Sequence, residues 1–354
     1  MKNSHFKLIL SALIAVFNSC STNVELYADY KDIGVVYAML DPKADTNYIK
    51  ITRAFSGTND NPIDASELVL IADSCNYPGK LDARIIELKK THGSDYTPTG
   101  RVIELDTITL HGKEEGVFYA NAQLFYYTTE PFNTGTDRNR YQYRLVVIKP
   151  EGDSLTAQTS IVGNNEFKIV TDEMYFQKKT TNKVKEILFR PDEAASIYEV
   201  TMQFNYSEQK IGQEMKQKKV SYSYGTKPSW EYHITTGNLY SLEYPMNWLF
   251  DALEKAIGGD TIVNPNHPDV VRYIDDFVIT ISAAGNEFNI YYQANQAQMQ
   301  SPTSLVYVYN DIEGGYGLFS SRTTLQKVVK ISANTERDLF SSFSWGFKEQ
   351  SFKK

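Results

Sequence analysis

The chain is short of the groups that carry most protein chemistry: 2 cysteines and 5 histidines in 354 residues. No HExxH, GxSxG, GxxxxGK(S/T) or CxxC pattern occurs. The usual signatures of zinc peptidases, serine hydrolases, P-loop proteins and dithiol exchange are therefore missing. His92, His111, His233 and His267 stand singly at long separations, and His92 and His111 precede glycines in turn settings. Solvated loop positions explain them better than metal ligation, which needs convergent donors. The acidic-amide loops Asn59–Asp64 and Asn310–Glu313 offer oxygens without the spacing of a calcium loop, and ordinary Asx turn chemistry accounts for both. No metal, no cofactor and no enzymatic activity are expected.

Positive charge is scarce as well. Lys and Arg total 36 against 43 Asp and Glu, a formal charge of −7, and no basic block occurs. Nucleic acid and anionic lipid headgroups are poor partners for such a surface. With so few cysteines, a disulfide framework is excluded, and Cys75 is expected to be a small buried hydrophobe.

Long apolar runs are also lacking, with one short exception. Lys2 and Lys7 precede Leu8–Phe17, a run too short for the ~20 apolar residues that span a bilayer. It has the length of a signal-peptide h-region. Phe17-Asn18-Ser19-Cys20 follows directly and resembles the lipobox of bacterial lipoproteins. Residues 1–19 are thus expected to be removed and Cys20 to be lipidated, with two or three acyl chains giving a stable membrane anchor. Ser21 and Thr22, with no Asp after Cys20, favour the outer membrane by the same resemblance. Loss of Lys2 and Lys7 with no acids takes the formal charge from −7 to −9.

What the sequence has in quantity is aromatic residues, 25 Tyr and 18 Phe. Tyr141, Tyr143, Leu145 and Val147 alternate with their neighbours. So do Val200, Met202, Phe204 and Tyr206, and so do Phe277, Ile279 and Ile281. Period two marks strands with one face on a core. Turn signals such as Asp41-Pro42, Pro78-Gly79, Glu151-Gly152 and Ala284-Gly285-Asn286 separate the runs. The expected fold is mainly β: two immunoglobulin- or fibronectin-like β-sandwich domains, over 33–164 and 165–336. A tether over 20–32 precedes them. The first domain closes on the hairpin Tyr141–Pro150 and Ser154–Val162, with a boundary near Gly163–Asn165. One helix is expected inside the second domain, over 245–258, where Met246, Leu249, Phe250, Leu253, Ala256 and Ile257 follow helical spacing before Gly258-Gly259.

Two aromatic clusters are the candidate binding residues. Phe125, Tyr126, Tyr127 and Phe132 lie beside the polar loop Asn133–Asn139, although alternation must turn at least one of those rings into the core. Phe343, Trp345 and Phe347 lie in the segment 337–354, whose aromatic content is too high for a disordered tail. That segment either covers the core as a last strand or helix, or docks on a partner or membrane surface.

Three stretches together carry a family resemblance. They are Val35–Pro42 followed by Tyr48–Phe55, the strand pair Tyr141–Val162, and Tyr309-Asn310-Asp311-Ile312-Glu313-Gly314-Gly315-Tyr316-Gly317-Leu318-Phe319-Ser320-Ser321-Arg322. The chain resembles the Bacteroidota lipoproteins grouped as "domain of unknown function 4249". The resemblance implies a surface-exposed outer-membrane lipoprotein with a TonB-dependent transporter as a potential partner, and it supplies no catalytic residues. The glycines of the third stretch would permit positive φ or close backbone approach. A binding or accessory module is the first functional reading, a structural envelope-assembly protein the alternative, and an unrecognised hydrolase the remote one.

Overall fold

The computed structural model describes residues 33–54, 75–91, 93–112, 122–135, 140–178, 182–257, 270–300, 309–342 and 345–348. Cys20, the signal segment, the Asn59–Asp64 loop and Phe343 lie outside them. The protein is mainly β, as the alternation predicts, and its strands pack as layered sheets around two hydrophobic cores.

The first core is enclosed by β1 (Gly34–Leu40), β2 (Asn47–Arg53), β5 (Asp106–Leu110) and β6 (Gln123–Thr128) on one side. Facing them is a four-stranded sheet in the order β4 (Tyr96–Glu104), β3 (Asp82–Lys90), β7 (Tyr141–Ile148), β8 (Ser154–Ser160). Val36, Ala38 and Leu40 from β1 meet Tyr143, Leu145 and Val147 from β7 there. Inside this sheet the buried Glu87 accepts hydrogen bonds from Tyr143 Oη (2.7 Å), Asn133 Nδ2 (2.7 Å), Thr99 Oγ1 (2.9 Å) and Arg101 (3.2 Å). Burial pushes its carboxyl up, but the three neutral donors and the Arg101 charge outweigh it and hold it below the usual range.

Beyond the Gly163–Asn165 junction, two short strands, β9 (Lys168–Ile169) and β10 (Glu173–Met174), open the second half. The second core lies between a four-stranded sheet and the long strands. The sheet runs β14 (His233–Ile234), β15 (Tyr240–Pro245), β11 (Val184–Arg190), β9. The long strands are β12 (Ile197–Lys210), β13 (Lys216–Pro228), β16 (Val270–Ala284) and β17 (Gly315–Ile331). The helix anticipated over 245–258 is α1 (Trp248–Ile257), which buries Leu249, Phe250, Leu253 and Ile257. It is not alone, which corrects the expectation of a single helix. Among the described residues, α2 (Asn286–Gln300) and α3 (Ala333–Ser341) accompany it. Periodicity does not disclose α2, because the helix is polar around much of its circumference.

β17 joins the two halves. Its first residues pair in parallel with β1, from Gly34↔Gly315 to Leu40↔Ser321, and its middle pairs antiparallel with β16, from Ala284↔Arg322 to Phe277↔Val329. One nine-stranded sheet results, running β13-β12-β16-β17-β1-β2-β6-β5 with β10 attached to β17. Gly317 makes the parallel pairing with β1 feasible. Its φ is +130°, and a Cβ there would sit 1.8 Å from the Val36 carbonyl oxygen. Close backbone approach, expected of this glycine stretch, is thus its geometric role. The junction at Gly163–Asn164 is clamped from the second half, since both backbone amides donate to Asp192 Oδ2 at 2.8 Å.

Candidate functional site

Alternation decides which aromatic residues face solvent on the β1-β2-β6 part of the large sheet. Val36, Ala38, Ile49 and Ile51 point into the core, so Tyr37, Tyr48 and Lys50 point out. Tyr37 pairs with Lys50 across β1 and β2, and Tyr48 pairs with Tyr127 across β2 and β6. Tyr37 and Tyr48 remain 47% and 44% exposed, which is high for residues on central strands of a sheet. The ring of Tyr48 lies 6.3 Å from Phe125, edge to face, and 6.4 Å from Tyr127. The Lys50 ammonium stands 5.5 Å above the Phe125 ring and bonds the Gln123 side chain. Four rings and one cation thus share an outward surface.

Of the first predicted cluster, only Phe125 and Tyr127 belong to that surface, half-buried. Tyr126 and Phe132 are corrected to core residues. Tyr126 is 1% exposed, and its hydroxyl accepts a hydrogen bond from the Leu81 amide at 2.7 Å. Phe132 is buried edge to face on Tyr143 at 4.8 Å. Period two forces Tyr126 inward once its neighbours face out.

Beside Tyr37 and Tyr48 the surface deepens into an open cleft of about 370 Å³, lined also by Asp41, Thr46, Leu318 and Arg322. The β1–β2 hairpin forms its rim. Asn47 staples that hairpin by accepting from the Asp41 amide at 2.7 Å and donating to the Asp41 carbonyl at 3.1 Å. One Asp41 carboxylate oxygen receives the Lys43 amide at 3.0 Å. The Arg322 side chain is exposed and has no ion-pair or hydrogen-bond partner among the described residues. Helix α2 lies against β17 nearby, its Phe288 amide donating to Ser320 Oγ at 3.3 Å. Partial burial and the neighbouring Tyr291 push the Tyr37 phenol above its usual range. Period-two alternation in Val35–Leu40 and Asn47–Arg53 could have identified Tyr37 and Tyr48 as outward aromatics. The approach of Asp41 and Arg322, far apart in sequence, could not be read that way.

The second predicted cluster is corrected more fully. Trp345 and Phe347 are 5% and 4% exposed, inside the second core. Trp345 stacks on Phe250 at 6.0 Å under the Lys178 ammonium, and Phe347 meets Tyr206 edge to face at 5.7 Å. Arg272 clasps the segment. Its guanidinium donates to the Trp345 carbonyl at 2.7 Å and to Glu208 at 2.6 Å, while its backbone bonds Gly346 and Lys348. Rings this deep cannot serve as a docking surface.

The remaining polar features are structural in their contacts. In the Asn310–Glu313 loop, Asp311 accepts from the Phe319 amide at 3.1 Å and Asn310 donates to the Ile312 and Gly315 carbonyls. Glu287, at the start of α2, accepts from Thr159 Oγ1 (2.9 Å) and Ser320 Oγ (3.0 Å). Burial pushes both carboxyls up, Asp311 to about 6, with Glu287 adding like-charge repulsion at Asp311. No group of three or more metal-binding side chains occurs among the described residues. His111 and His233 lie exposed, and Cys75 is half-buried rather than buried. No described helix is long and apolar enough to cross a membrane.

Compared with models of known protein families the chain matches none, and no curated protein matches it.

Proposed function

We propose that the protein is an outer-membrane lipoprotein of the "domain of unknown function 4249" type, anchored through Cys20, that binds a ligand on the aromatic outer face of β1, β2 and β6. The observation that carries this reading is the outward placement of Tyr37, Tyr48, Phe125 and Tyr127 beside an open cleft, on strands whose other face is already committed to a core. Monomeric proteins seldom expose rings together without a use for them. The position relative to the anchor supports it. β1 begins two residues after the tether ends, and its 7 residues carry the chain about 20 Å from Gly34 to the cleft rim. Tether residues 20–32 can reach at most about 45 Å, so the cleft stands off the membrane surface on a short leash.

The anchoring is tested by fractionation. Cys20→Ala is expected to move the protein from the membrane pellet to the soluble fraction, and retention in the pellet would refute it. Affinity purification of the lipidated chain from solubilised outer membranes is expected to recover a TonB-dependent transporter. Recovery of no membrane partner favours a freestanding binding module.

A further inference from the structure

The outer face differs from an ordinary apolar patch in having one acid and one base, Asp41 and Arg322, on the lining of its cleft. Among the described residues, one Asp41 carboxylate oxygen has no partner and the Arg322 guanidinium is uncommitted. Together they are electrically balanced, which disfavours a strongly anionic or cationic ligand. Each is a planar group offering two polar atoms at a fixed spacing.

The sheet edges argue about the ligand class as well. β1 is paired on one side with β17 and on the other with β2, and β2 is paired in turn with β6. Among the described residues no strand with an open edge borders the cleft, so an extended peptide has no edge to add to as a strand there. The apolar face of a helix seated there would leave Asp41 and Arg322, both on the cleft lining, without polar partners. What fits is a molecule with a C–H face to lie on a tyrosine ring and hydroxyls at its edge to meet a carboxylate and a guanidinium.

On the reading that the outer face binds a ligand, we infer that the cleft formed by Tyr37, Tyr48, Asp41 and Arg322 is an oligosaccharide-binding site. A sugar ring stacks on Tyr48 and its neighbouring hydroxyls bond Asp41 and Arg322. The row of rings continuing to Tyr127 and Phe125 then receives the following residues of the saccharide chain. The cleft volume, about 370 Å³, is at the small end for ligand sites and suits one or two pyranose rings, with the rest of the chain lying across the open surface.

The test uses the full-length lipidated protein in detergent against several immobilised neutral hexasaccharides of different configuration, with a random peptide library as comparator. Retention on at least one saccharide is expected. Tyr48→Ala and Arg322→Met should each weaken it by about tenfold, whereas Tyr48→Phe, which keeps the ring, should bind like the wild type. Tyr48 and Arg322 lie outside both cores, so unchanged circular dichroism and melting of each variant will certify the comparison. Saccharide binding unaffected by Tyr37→Ala, Tyr48→Ala and Arg322→Met overturns the assignment to this cleft. Retention of peptides and no saccharide, lost in Tyr48→Ala, overturns the ligand class and leaves the outer face as a binding surface. Retention of neither ligand overturns both.

Discussion

At the scale of single residues, carboxylates set how this protein responds to pH, and they act in opposite senses. Glu87 is held low by four donors, so its contribution is present near neutrality and is lost as pH falls through its folded pKa. Asp311 is raised by burial and by Glu287 to about 6, so the folded state holds its proton more tightly than the unfolded chain does. Its contribution is complete below the unfolded value near 4 and disappears as pH rises through about 6. Asp311→Asn keeps an oxygen for the Phe319 amide while removing the titration. Its urea midpoint should therefore decline less than that of the wild type between those two pH values. Equal slopes in the two proteins would show that Asp311 does not titrate in this range.

At the scale of elements, the C-terminal segment changes meaning most. Its aromatic richness reads first as a core cover and second as a docking tail, since both need rings close together. Once α3 ends, the chain returns beside Arg272, where β16 lacks its β17 neighbour, and sets Trp345 and Phe347 into the core. Removing residues 345–354 should therefore destabilise the second half rather than sever a partner. Loss of two buried rings costs about 6 kcal/mol or more, and Arg272 and Glu208 lose part of their burial. Circular dichroism melts and limited proteolysis will check this. A truncated chain that melts like the wild type would return the segment to the surface. The α1 span, by contrast, was legible, because a stripe at helical spacing between sheet-like runs has few other solutions. The polar α2 offers no such stripe.

At the scale of the whole molecule, β17 supplies Phe319 to the first core and Val329 and Ile331 to the second. Ser321 adds to the coupling by donating to the Ser160 carbonyl and accepting from the Val162 amide, and Asp192 clamps Gly163 and Asn164. The two cores therefore share a strand that neither can lose. Calorimetry on the full chain should show one cooperative transition, with calorimetric and van't Hoff enthalpies in agreement. Two resolved transitions would mean that β17 can leave one core while serving the other. The boundary expected near Gly163–Asn165 conceals this crossing, since Ile312 and Phe319 belong to the first core and Val162 to the second. Parallel pairing between Gly34 and Gly315 leaves no mark in either local sequence.

By itself the sequence determined the mainly-β class, the inward sets along Tyr141–Val147, Val200–Tyr206 and Phe277–Ile281, α1, and the lipobox-like start that leads to membrane anchoring as a proposal. All of these follow from local spacing or local chemistry. Tertiary structure alone decided that Trp345 and Phe347 are core residues, that β17 unites the sheet, and that Asp41 and Arg322 stand with Tyr37 and Tyr48 around one cleft. The reason is that burial and convergence depend on which distant strands become neighbours. A period of two tells each side chain which face it takes, and never what lies across from that face.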